Sequence, residues 1–199
     1  MSTARTSTEP DGLRDRLIEA ASQITCDTGW SDVTMAKLAE RVGVSRQTVY
    51  NELGAKPALG QALVLRELDR FLAVVSAELD RYDDVVDAIR SAAEQVMVMA
   101  GDNPLLHAVL SSAHGGTNAL LPLLTTQSEP LIAAATAVIA ERIPTRYPDL
   151  GLTDGELATG LDSIVRLVLS HVMQPDKSPA RTADNIAWIA ARVLGRPGR

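Results

Sequence analysis

Residues 34 to 51, Thr-Met-Ala-Lys-Leu-Ala-Glu-Arg-Val-Gly-Val-Ser-Arg-Gln-Thr-Val-Tyr-Asn, constrain the fold of this chain more than any other stretch. They predict two short helices joined by a tight turn. Thr34 offers a side-chain oxygen to cap the first helix, and Met35, Leu38, Ala39 and Val42 recur with the spacing of one helical face. Gly43 stands where a helix C-terminus most often needs a residue that tolerates positive φ. Val44 can fill the angle between the helices, and Ser45 is a good N-cap for the second. Among residues 46–51 only Val49 is clearly apolar, so the second helix presents mostly hydrogen-bonding side chains. A helix-turn-helix that feeds its second helix into a DNA major groove has this layout. Arg46 and Gln47 suit paired contacts to base edges, arginine to guanine and glutamine to adenine. Thr48, Tyr50 and Asn51 suit phosphate oxygens, which fix register without reading sequence.

The charge balance argues in the other direction. The formal net charge is −6, and residues 1–56 hold seven basic against eight acidic side chains. A basic field is therefore absent at the level of net charge, and attraction to DNA must come from a few well-placed cations and helix N-termini. Apolar residues make up 46% of 199, enough for a globular core. No apolar run reaches the length of a membrane span, and the first ten residues lack a signal-peptide apolar region, so a cytoplasmic protein without membrane contact is expected. The single cysteine, Cys26, excludes an internal disulfide and a cysteine metal cluster. No cofactor or metal is expected.

Residues 1–9 are small and polar and read as a disordered arm, in which Arg5 is one candidate for a backbone or minor-groove contact. From Leu13 a helical face forms with Leu17, Ala20, Ala21 and Ile24, and Gly29 ends it; Trp30 and Val33 then lead, as apolar anchors, into Thr34. Three helices in about 45 residues are marginal alone, so this unit is expected to lean on the helix that follows. That helix opens at Lys56-Pro57 and carries Leu59, Leu63, Leu68, Leu72 and Val75. Lys56 can meet a phosphate at the helix start, and with Thr34 and Ser45 it completes the expected DNA-facing set.

Taken together, Ala20-Ala-Ser-Gln-Ile, Gly29-Trp, Thr34-Met-Ala-Lys-Leu-Ala, Val42-Gly-Val-Ser-Arg-Gln-Thr-Val-Tyr and Gly54-Ala-Lys resemble the N-terminal domain of TetR-family transcriptional regulators. The resemblance covers roughly residues 13–60. It implies an all-α homodimer, with an N-terminal three-helix helix-turn-helix domain (residues 10–56) followed by a larger helical effector-binding and dimerisation domain (residues 57–199). It further implies that effector binding releases a DNA operator. Two positions depart from the common pattern: Leu53 replaces a frequent aromatic residue, and Ala55 a serine that would cap the next helix, a loss of about 1 kcal/mol.

Beyond residue 82 only pattern guides the reading. Helices are expected from Asp83 or Asp84 to about Ala100, Leu105 to Ala113, around Thr117 or Asn118 to Thr126, Pro130 to Ile143 (closed by Pro144), Asp154 to Met173 and Ala180 to Leu194. No strand pattern competes. The helices of residues 83–143 would line an effector cavity, with Met97, Leu106, His107, Leu110, His114 and Leu121 as candidate contacts. The aliphatic composition favours an apolar or lipid-like ligand; the two histidines make a weak metal pair, since no carboxylate stands at ligand spacing beside them. The last two helices carry wide apolar faces, and Leu161, Ile164, Val168, Val172, Ile186, Ile189 and Val193 are the candidate dimer interface. A two-fold dimer is also what a palindromic operator requires. The competing class is a helical carrier or enzyme for an apolar small molecule without DNA binding. Against an enzyme, the chain has no nucleophile elbow, no glycine-rich phosphate loop and no His-Glu-x-x-His.

Overall fold

The computed structural model describes residues 12–111 and 120–194. Its described residues form ten α-helices and one 3-10 turn, with no strand. Helix α1 is Leu13–Thr28; the turn Trp30–Asp32 leads to α2, Met35–Val42, and α3, Arg46–Leu53. The long α4, Lys56–Arg81, follows at once. The remaining helices are α5 (Val85–Gly101), α6 (Pro104–Ser111), α7 (Leu121–Leu124), α8 (Glu129–Arg146), α9 (Asp154–Met173) and α10 (Pro179–Val193).

Local chemistry explains most of these boundaries. Asp84 accepts from the backbone N–H groups of Val86 and Asp87 and so starts α5. Asn103 does the same for Leu106 at the head of α6. Thr153 and Glu156 form a reciprocal capping box at α9. Helix α4 starts without a side-chain cap, as the alanine at position 55 dictates. The end of α8 departs most from the sequence reading, and α7 ends before the expected Thr126, its expected start at Thr117 or Asn118 lying outside the described residues. Helix α8 passes through Pro144 to Arg146, because the proline lies in the last turn, where Tyr147 N–H still closes on Ile143 and little hydrogen bonding remains to lose.

Two hydrophobic cores result. The upper one joins Leu17, Ala21 and Ile24 of α1, Leu38 of α2, and Val49 and Leu53 of α3 to Leu59 and Leu63 of α4. It also takes in Trp30, Leu105 and Val109 of α6, and Leu120. The lower one is built from Leu79, Ile89, Ile143, Leu157, Leu161, Ile164, Ile186 and Leu194. Helix α4, about 39 Å long at 1.5 Å per residue, runs from one core to the other. Below the upper core α4 packs on α5 and α8, α5 on α10, and α8 on α9.

Two close contacts hold this lower body. A Cβ at Gly160 would stand 2.7 Å from Val193 Cγ1, so the missing side chain is what lets α9 and α10 approach so closely. Tyr147 is buried, and its hydroxyl lies 2.7 Å from the Leu79 carbonyl and 2.9 Å from that of Tyr82, satisfying the otherwise orphaned end of α4. Tyr147→Phe is expected to destabilise the protein by about 1–3 kcal/mol, because the buried Leu79 carbonyl is left without this donor. Urea unfolding of the two proteins measures it, and a difference within error would show that water replaces the hydroxyl.

Candidate nucleic-acid interface and ligand cavity

The α2–α3 unit is fixed from inside. Thr34 Oγ1 accepts from Lys37 N–H at 3.1 Å, and Ser45 Oγ from Thr48 N–H at 3.1 Å, capping the two helices. Gly43 adopts φ 76 and ψ 38, the left-handed conformation that turns the chain between them. Val49 and Leu53 are the buried side of α3. The Arg14 guanidinium donates to the Glu52 carbonyl, which ties α1 to the C-terminal end of α3 where a cation is favourable.

The opposite side of α3 is open. Arg46, Gln47, Tyr50 and Asn51 are exposed and Thr48 is half-buried. Gln47 Nε2 donates to Asn51 Oδ1 at 2.9 Å, so these two amides are already aligned along one edge. The structure thus brings Arg46, Gln47, Tyr50 and Asn51 together on one solvent face, with the Thr34 and Ser45 hydroxyls capping the two helix starts and the Thr48 hydroxyl 2.8 Å from that of Ser45. Lys56 is placed differently. Its ammonium donates to the Ser31 carbonyl at 3.1 Å and sits 5.1 Å from the Trp30 ring centroid. Burial pushes its pKa below the ordinary lysine value, with nearby Asp32 pulling the other way. In this conformation Lys56 braces the turn before α2. Lys37, which the sequence reading passed over, is exposed beside α2's first turn, 3.5 Å from Asp32.

Between the two cores lies a cavity of about 190 Å³. Its walls come from the middle of α4 (Leu63 to Leu79), from α5, α6 and α8, and from α9 (Leu161 to Met173). The half-buried members lie mainly on α4 and α9, among them Leu68, Phe71, Val165 and Leu169. Of the candidate contacts, Leu106 lines this cavity. Met97 is buried on α5 outside it, His107 is exposed, Leu110 is half-buried elsewhere, and Leu121 packs against the upper core. His114 lies outside the described residues. Sequence pattern placed the cavity within residues 83–143 and missed α4 and α9. Its available signal was the second apolar row of α4 (Val64, Leu68, Phe71, Val75), wider than a single core stripe requires.

The candidate dimer contacts also divide. Leu161 and Ile164 are only 2% and 7% exposed, and with Val168 and Val172 they face the cavity of their own chain. Ile186 is fully buried in the lower core. These five point inward because α9 walls the cavity while α10 closes on α5. Ile189 is half-buried and Val193 36% exposed. Beside them Trp188, 59% exposed, stacks under Arg192 at 3.6 Å from guanidinium carbon to ring centroid.

No described helix is long and apolar enough to cross a membrane. Among the described residues no group of three histidine, cysteine or carboxylate side chains is placed to hold a metal.

Comparison with known proteins bears on both halves. Residues 17–63 match the family of bacterial regulatory proteins described as the tetR family, and residues 84–192 match the bacterial tetracyclin repressor C-terminal domain. The chain is 30% identical over 187 residues to the HTH-type transcriptional regulator AlkX of Mycobacterium tuberculosis, covering 94% of this chain and 87% of that protein. Among solved structures it is similar to the TetR family repressor AlkX of Dietzia sp. strain DQ12-45-1b, implicated in biodegradation of n-alkanes. There the TM-score is 0.75 at 24% identity, over 96% of this chain and 97% of that one. It also resembles the R. erythropolis transcriptional repressor QsdR, with TM-score 0.66 at 16% identity over 94% and 96% of the two chains.

Proposed function

Because the chain belongs to the TetR family of bacterial transcriptional regulators, we propose that it is a dimeric repressor that binds a palindromic operator and releases it when an apolar, lipid-like molecule fills its cavity. One observation carries the reading: the helix that follows the reading head without a linker, α4, also supplies the longest wall of an apolar cavity. Its aliphatic walls suit a hydrocarbon, which would gain about 25 cal/mol for each Å² of apolar surface it removes from water there. The same molecule weakens DNA binding only if it prefers the arrangement in which the two heads no longer match the operator.

Arg46 and Gln47 are the base-reading side chains in this scheme, and Tyr50, Asn51 and Thr48 take phosphates. Thr34 and Ser45 act by holding the helices, and Lys56 reaches a phosphate by leaving the Ser31 carbonyl. The acidic net charge leaves the field of the whole molecule unhelpful, so these contacts are few. Purified protein on DNA upstream of its own gene should give a discrete footprint and an affinity that falls steeply with salt. Binding that is weak, and equal on unrelated DNA, would leave the helical carrier as the better reading.

The dimer forms through the outer face of α10, with Trp188, Ile189 and Val193 as its apolar centre. An exposed tryptophan beside further apolar surface is the composition of an interface anchor. Trp188→Glu is expected to convert a dimer into monomers by sedimentation velocity and to abolish the footprint with it. A dimer that survives this change places the interface elsewhere.

A further inference from the structure

On the open side of α3, Gln47 and Asn51 stand one helical turn apart, and both are exposed. Gln47 Nε2 donates to Asn51 Oδ1 at 2.9 Å. The bond uses one of the two amide hydrogens of Gln47 and none of its acceptor capacity. What remains is one N–H and the Oε1 oxygen, which no other hydrogen bond engages among the described residues. Adenine shows the complementary pair in the major groove, where N7 accepts and the N6 amine donates. Guanine shows two acceptors there, N7 and O6, and sets one of them against the glutamine oxygen. Turning the Gln47 amide over by itself brings Oε1 against Asn51 Oδ1, two acceptors with no proton between them. Only if both amides turn together does Asn51 Nδ2 donate to Gln47 and leave two N–H groups for guanine.

We infer that Asn51 is a positioning residue for base readout: it orients the Gln47 amide and so makes one position of each half-site select adenine over guanine. This role is additional to the phosphate contact assigned to Asn51 above, for which its Nδ2 group is free, and it rests on α3 being the reading helix. In the free protein water competes for both partners, so the bond does little for folding. Its effect belongs to the complex. An amide already turned toward its base loses less rotamer freedom on binding than one that must be ordered there. A side chain that only meets phosphate acts alike on every sequence, whereas one that orients a reader acts at one base pair.

The footprinted duplex from upstream of the gene, resynthesised with each base pair of one half-site changed in turn, supplies the probes. Gln47→Ala locates the position that Gln47 reads, as the one where base preference disappears. There the unaltered protein should bind adenine about tenfold or more tighter than guanine. Asn51→Ala should cut that ratio to about threefold or less and leave the preferences at other positions within about twofold. Asn51→Asp keeps the acceptor for Gln47, has no proton to give in the turned-over arrangement, and adds a negative charge near the phosphates. It should weaken binding to every duplex, most at low salt, and still keep the adenine preference at about tenfold or more. Loss of the preference with alanine and its retention with aspartate is a pattern that a phosphate contact alone does not give. Equal loss across all duplexes in Asn51→Ala overturns the inference, as does a preference lost in Asn51→Asp or a Gln47 position that does not favour adenine. An absent footprint, or a Gln47→Ala variant that leaves every preference unchanged, would instead remove the reading helix itself, and the inference with it.

Discussion

Arg46→Ala combined with Gln47→Ala is expected to weaken operator binding by about thirtyfold or more while moving the melting temperature by no more than about one degree. Each side chain can make a bidentate base contact worth about 1–3 kcal/mol of discrimination, so the pair accounts for about 2–6 kcal/mol. Both are exposed in the free protein, and neither supports the core of α3, which rests on Val49 and Leu53. The Gln47–Asn51 hydrogen bond is on the surface and contributes little to folding. Footprinting and melting curves on the same preparation separate the two effects. A footprint that persists unchanged would mean that α3 does not read the groove through its first turn.

Trp30→Ala is expected to cost about 3–5 kcal/mol, a large share of the 5–15 kcal/mol that a domain commonly has. Trp30 is 5% exposed and sits where three parts of the upper core meet. A Cβ at Gly60 of α4 would lie 3.3 Å from its Cζ2 atom and 3.0 Å from Leu120, so the ring fills the space that the glycine opens. The Lys56 ammonium rests over the same ring. Removing the indole leaves a void bounded by elements that cannot all collapse inward, since α4 is also pinned in the lower core by Leu79. Urea unfolding should report a lower midpoint, and operator affinity should fall with the folded fraction. A loss below about 1 kcal/mol would show that neighbouring side chains refill the site.

The reading head was legible because its signals are local. A cap at Thr34, another at Ser45 and a left-handed glycine between them each act within four residues, and the apolar spacing of α2 is that of one face. The cavity was not legible for the converse reason. Leu68, Leu161 and Ile164 have the same spacing whether they meet a core, a ligand or a second subunit, and only the relative placement of α4 and α9 decides. The same ambiguity sent the inner face of α9 to a partner in the sequence reading, although it walls the cavity of its own chain.

The upper core has a consequence for transplanting the reader. Leu59 and Leu63, together with Leu105, Val109 and Leu120, complete the packing of α1–α3, so a cut after residue 56 passes through hydrophobic surface and not through a linker. A chimera that exchanges only residues 10–56 would set foreign α1 side chains against a native α6 and foreign α3 side chains against a native α4. A graft that carries the matching faces of α4 and α6 keeps the seam closed. Packing therefore makes α1–α3 and the facing sides of α4 and α6 one mechanical unit.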